Sequence, residues 1–215
     1  MIIDKKIHYI WLGDNSIPPL YEKCIDTWQK YHSNWEIILW NEENIPRNIP
    51  YVNKALEKKK YAFASDYLRV YILNKYGGVY LDADIEVIKP FDELLNKGPF
   101  LGYESEGRVS NGVMALPKEH WLSEAMLQYY DQNVGVYNAI PLITTKIINA
   151  NKHKNDIKIY PEEYFYPYNP FKSGSVKQLL FHDITSNTYA IHHWGHSWKI
   201  SFFDRIINKI KLIKK

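Results

Sequence analysis

The chain has 215 residues, 46% hydrophobic, 15% aromatic and 24% charged, a globular composition that provides for one domain with a small appendage and excludes a disordered or fibrous class. The 27 Lys and Arg residues against 24 Asp and Glu leave a net charge of +3, too balanced for a nucleic-acid-binding surface. Cys24 is the single cysteine and cannot form an internal disulfide, no apolar run approaches the ~20 residues of a membrane span, and the opening MIIDKKIHYIWLG lacks a signal-peptide pattern, so a protein of a reducing, cytoplasmic compartment is expected.

In chain order, Ile7 to Leu12 is apolar and strand-prone, and a loop with Gly13, Pro18 and Pro19 follows it. Leu20 to Tyr31 has helical spacing, with Leu20, Cys24, Trp28 and Tyr31 on one stripe. Glu36 to Trp40 predicts a buried strand, and Pro46 and Pro50 break the loop after it. Tyr51 to Lys60 and Tyr61 to Tyr76 predict helices, the second ended by Gly77-Gly78. Val79 to Ile88 alternates, with Val79, Leu81, Ala83, Ile85 and Val87 on one side and Tyr80, Asp82, Asp84 and Glu86 on the other. Strands are predicted over Phe100 to Tyr103, Val109 to Leu116, Ile157 to Tyr160 and Thr188 to His192, and helices over Trp121 to Gln132 and Ala139 to Asn149. This alternation predicts an α/β sandwich with a mostly parallel sheet. Residues 1–200 form the expected domain. Residues 201–215 form a basic amphipathic helix with two readings, a terminal helix docked on the domain or a peripheral foot on the inner face of the membrane.

Asp82 and Asp84, on one face of a strand, bring two like charges together, an arrangement that a divalent cation neutralises. Oxygen ligands suit Mg2+ or Mn2+, and ligands of open α/β sheets sit at the carboxyl ends of the strands. A metal held there would be placed to bridge the two phosphates of a nucleotide-sugar. On the preceding helix, Asp66 and Arg69 are three apart and neighbours on the surface. They read either as an exposed ion pair of less than about 1 kcal/mol or, with Ser65, as a grip on sugar hydroxyls and phosphate. The segment HHWGHSW, His192 to Trp198, concentrates three His and two Trp. It reads as a source of an imidazole ligand and of rings for a sugar face, or as an aromatic clasp.

The segments IHYIWLG, YAFASDYLRVYILNKYGGVYLDADIEVIKP, SNGVMA and IHHWGHSW, in that order from Ile7 to Trp198, resemble the bacterial capsular-polysaccharide and lipopolysaccharide glycosyltransferases with a DXD sugar-binding region. That family is related to yeast initiating mannosyltransferases and to the glucosylating domains of clostridial toxins. The resemblance implies a GT-A fold, a UDP-sugar donor bound through Mn2+ or Mg2+, and a glycan or lipid-linked oligosaccharide acceptor. It implies that Trp11 stacks on the uracil base, that Asp66 and Arg69 hold the donor sugar, and that Asp82 lies near ribose and sugar. Asp84 is then the principal metal ligand, Asn111 faces sugar and acceptor, and Trp198 steadies the leaving diphosphate. His192 falls at the metal-binding histidine, with His193, His196 and Ser197 as rivals. The family also implies retention of anomeric configuration.

Two other classes share parts of the pattern. Haloacid-dehalogenase-type phosphatases open on an apolar strand with D-x-D, but place it first in the chain and add a later acidic pair that is missing here. A glycan-binding module accounts for the aromatic residues, but has no need of Asp82 and Asp84 together with Asp66 and Arg69.

Overall fold

The computed structural model describes residues 2–172, 174 and 176–195; Trp198, His196, Ser197 and the amphipathic tail lie outside the described residues. The expected sheet is present, with strand order β2-β1-β3-β6-β5-β7. Its strands are β1 (Lys6–Ile10), β2 (Glu36–Trp40), β3 (Gly78–Leu81), β5 (Phe100–Ser105), β6 (Arg108–Leu116) and β7 (Lys158–Tyr160). β1 pairs parallel with β2 and β3, β5 pairs parallel with β7, and β6 is antiparallel to both β3 and β5. All but β6 therefore run one way, which brings the carboxyl ends of β3 and β5 to the same edge of the sheet.

One core cluster joins the sheet to α2 (Pro50–Glu57), α3 (Tyr61–Tyr76), α5 (Trp121–Gln132) and α6 (Ile140–Ala150), through residues such as Tyr51, Leu68, Leu73, Met114 and Met126. The other lies against α1 (Pro19–Tyr31) and the short helix α4 (Asp92–Leu95), around Ile7, Trp28, Leu81, Phe91 and Phe165. α3 is apolar nearly all round and buried along most of its length, including Asp66 and Arg69, as a helix sandwiched between layers is. It ends where Gly77 and Gly78 take φ of 65° and 104°, values that favour glycine. No helix among the described residues is long and apolar enough to cross a membrane.

The predicted strand over Val79 to Ile88 is two strands. β3 ends at Leu81, the Ile85 N–H closes a turn onto the Asp82 carbonyl at 3.0 Å, and β4 (Ile85–Val87) pairs antiparallel with β8 (Ala190–His192) in a separate sheet. α1 covers the other edge of β4: the Trp28 indole donates to the Ile85 carbonyl at 2.6 Å, and the Thr27 hydroxyl accepts from the Val87 N–H at 2.9 Å. Asp82 and Asp84 thus converge through a turn, not through strand alternation.

Two histidines fix a pH dependence. His8 is fully buried between the Trp40 indole and the Gly77 carbonyl, and His32 accepts from the Phe91 N–H at 2.9 Å. Burial lowers each from 6.5 to about 4. The unfolded chain takes up protons below about pH 6.5 that the folded chain refuses, so their contribution is complete above that pH and is lost as pH falls toward 4. Denaturant titrations between pH 7 and 4.5 are expected to show His8→Gln reducing the slope by up to about 1.4 kcal/mol per pH unit. An unchanged slope rules His8 out as a source.

Candidate metal centre

Asp82 and Asp84 leave β3 on the turn, and His192 arrives at the end of β8. One ligand atom from each lies within 4.8 Å of the others. Asp84 is the most tightly held: its carboxylate oxygens lie 3.2 Å from His192 Nε2 and accept the Gly195 N–H at 2.8 Å, and its carbonyl accepts the His193 N–H. Burial raises the Asp84 pKa, but His192 and the Gly195 N–H outweigh it and hold the group below its ordinary value. Burial lowers the His192 pKa, but Asp84 outweighs it and the net direction is up. The buried Nδ1 of His192 has no hydrogen-bond partner among the described residues.

The arrangement fits a hard divalent cation. Two carboxylates and an imidazole form an oxygen-rich set with one nitrogen, suited to Mn2+ or Mg2+, and a bound cation would take the place of a proton on the imidazole. Of the rival ligands, His193 is engaged elsewhere, with Nε2 2.7 Å from Glu86 Oε2.

The Asp66–Arg69 pair is not the exposed ion pair considered above, for its side chains are 11% and 9% exposed. Arg69 spreads its guanidinium over Asp66 Oδ1 at 3.0 Å, Asp82 Oδ1 at 2.9 Å and the Asn111 carbonyl at 3.0 Å, with Nε 3.4 Å from the Ser65 carbonyl. Its centre lies 4.6 Å from the Tyr80 ring. Burial lowers the Arg69 pKa, but Asp82, Tyr80 and Asp66 outweigh it and keep the cation charged. Burial raises Asp66 to about 7 against the pull of Arg69. Half-buried Ser65 joins this group only through its carbonyl.

Asn111 departs from the expected placement. Its side chain is buried away from solvent: the carbonyl accepts from the Thr144 hydroxyl at 3.0 Å, and the amide lies 3.3 Å from Met114 Sδ. Anchored to α6 by Thr144, it reaches the site through its backbone carbonyl alone. Trp11, just beyond β1, donates its indole N–H to the Asn15 carbonyl at 2.7 Å and lies edge-on to Tyr21 at 5.5 Å. A side chain at Gly195 would collide with Tyr21, so Trp11, Tyr21 and Gly195 form a continuous wall to Asp84.

The sequence reading passed over several participants. The Tyr80 hydroxyl donates to Asp82 Oδ1 at 3.0 Å. The Tyr166 hydroxyl accepts the Val113 N–H at 3.0 Å, and its ring lies edge-on to His192. Gly112 is a necessary gap: a Cβ there would lie 2.9 Å from Asp82 Oδ2 and 3.2 Å from the Tyr166 hydroxyl. Gly112→Ala is expected to weaken Mn2+ binding about 10- to 100-fold, the usual effect of disturbing a ligand's support, read by calorimetric titration; unchanged affinity places Asp82 outside the coordination set.

Residues 18–101 match the family described as "Glycosyltransferase sugar-binding region containing DXD motif". The matched stretch is less than half of the chain. It holds Asp66, Arg69, Asp82 and Asp84 and stops short of Asn111 and His192. Among curated proteins, inositol phosphoceramide mannosyltransferase 1 of Schizosaccharomyces pombe is 27% identical over 91% of this chain and 62% of its own length. Inositol phosphoceramide mannosyltransferase 3 of the same yeast is 32% identical over 90% of this chain and 60% of its own. The chain thus spans about three fifths of these relatives. The solved structure titled PaToxG Glycosyltransferase superposes with a TM-score of 0.57 at 23% identity, covering 69% of each chain. The fold is that of the GT-A glycosyltransferases.

Proposed function

We propose that this chain is a metal-dependent glycosyltransferase that moves a hexosyl or N-acetylhexosaminyl group from a nucleoside diphosphate sugar to a hydroxyl of a glycan or lipid-linked acceptor. The observation that carries the reading is the convergence of Asp82, Asp84 and His192 beside the buried Asp66–Arg69 pair. Asp84, Asp82 and His192 would hold Mn2+ or Mg2+, which supplies Lewis-acid stabilisation of the departing diphosphate. Asp66 would accept sugar hydroxyls, and Arg69 fixes Asp66 and Asp82 in register. Trp11 would stack on the base.

The bond from the anomeric carbon to the diphosphate oxygen breaks, the bond to the acceptor oxygen forms on the same face, and the acceptor proton passes to the departing phosphate oxygen. Catalysis of this kind rests on positioning and charge stabilisation. A product of inverted configuration, read by NMR, contradicts it.

UDP-sugar donors and a role in bacterial surface polysaccharide rest on the motif resemblance, and a cytoplasmic setting on the lone Cys24. The names of the two yeast relatives support a second donor class, a nucleotide-activated mannose. A panel of UDP- and GDP-sugars, incubated with protein and Mn2+ and followed for released nucleoside diphosphate with and without chelator, separates the two. Release from one donor that stops with chelator is expected; metal-independent release contradicts the mechanism.

A further inference from the structure

The Asp82 carboxylate has two sides. Oδ1 faces Arg69 and Tyr80, the group assigned to the donor. Oδ2 faces the gap at Gly112, with the Tyr166 hydroxyl across it. The same face continues through Ser110, two residues before Gly112 on β6: it pairs with Gly102 of β5, where a side chain would meet Phe165 and Tyr166, and Glu104 follows two residues along β5. Glu104 stands near the end of β5, which runs parallel to β3, so it shares with Asp82 the strand edge where ligands of such sheets collect. Its side chain is only 12% exposed, with Oε1 2.6 Å from Arg108 Nε. Its charge acts on His192, Asp82 and Tyr166.

Arg108, 43% exposed, is solvated without Glu104. A carboxylate so nearly removed from water is maintained at a cost. We propose that Glu104, with Ser110 on the same face, is the acceptor-side subsite: its carboxylate accepts a hydrogen bond from a ring hydroxyl of a polyhydroxylated acceptor, a sugar or a cyclitol. The donor occupies the Arg69 side of Asp82, and the acceptor the Glu104 side. This inference rests on the transferase reading.

The test uses the full chain with Mn2+ and the donor found in the panel. Turnover to water is compared with transfer to methyl α-D-mannopyranoside, methyl β-D-galactopyranoside and myo-inositol, each in excess, so that the arms separate sugar from cyclitol. Glu104→Gln is expected to lower the ratio of probe transfer to hydrolysis about 10- to 100-fold, the range for losing a hydrogen bond to a charged group, and to raise the probe KM more than the donor KM. Ser110→Ala, which keeps the carboxylate and its Arg108 partner, is expected to give a smaller loss in the same direction. An unchanged ratio in Glu104→Gln, a rise in donor KM alone, or wild-type turnover that no probe diverts overturns the subsite. Absence of any donor turnover or nucleoside diphosphate binding in the wild type instead overturns the transferase reading beneath it.

Discussion

Asp84→Asn is expected to reduce metal-dependent turnover of the donor by about 10²- to 10³-fold, the usual effect of removing one electrostatic support from a developing charge. The loss should appear with little change in melting temperature. Asp84 sits on a turn, 12% exposed, and the asparagine keeps a carbonyl oxygen for the Gly195 N–H that the aspartate now accepts at 2.8 Å. It removes the charge that would neutralise a cation and that pairs with His192. Loss of Mn2+ binding in step with activity ties the residue to the metal. Activity within about threefold of the wild type removes Asp84 from the centre of the mechanism, since two remaining ligands cannot replace a charged third.

Arg69→Met is expected to affect folding as well as activity. The guanidinium satisfies two carboxylates and a backbone carbonyl within a nearly closed site, and its removal leaves Asp66 buried beside Asp82 with no cation between them. Breaking a buried ion network from one side costs about 3–5 kcal/mol, which for a chain of this size corresponds to a fall in melting temperature of roughly 10 °C. Arg69→Lys keeps the charge but not the planar fork, so it should recover part of the stability and little of the activity. A melting temperature for Arg69→Met within roughly 2 °C of the wild type shows that the network contributes little to stability, and confines Arg69 to ligand binding.

How much of this was legible in the sequence depended on the distance over which each signal acts. α3 and its Gly-Gly end were readable because helical length, apolar content and the stop signal all lie within one short segment. The pairing of Asp66 with Arg69 followed from helix geometry, but its burial did not: α3 is apolar on nearly every face, so no polar stripe marks an outside. The turn at Asp82 was hidden because period-two alternation continues across it, and Val79, Leu81, Ile85 and Val87 do share one core cluster. No glycine or proline marks the break, and what sets it is the pairing of β4 with β8, more than a hundred residues away in sequence.

The histidine segment pointed to a ligand, but choosing His192 over His193 required the Glu86 partner of His193. Asn111 was misplaced because the packing of Thr144 and Met114 around it has no local signature. Glu104 escaped notice for a related reason: it stands in an ordinary strand, and the faces around it are assembled from separate segments of the chain. The aromatic stretch from Tyr160 to Phe171 has no single role: Phe165 and Tyr166 belong to a core cluster, while Tyr168 donates from its hydroxyl to the His193 carbonyl at 3.2 Å.

The most direct test of the central claim is calorimetric titration of the full chain with UDP and with GDP, each with and without Mn2+, repeated on Asp84→Asn. Binding of one nucleoside diphosphate that requires Mn2+ and disappears in Asp84→Asn is the predicted result. Failure of both nucleotides to bind in the presence of Mn2+, or binding indifferent to metal and to Asp84, contradicts a metal centre built from Asp82, Asp84 and His192.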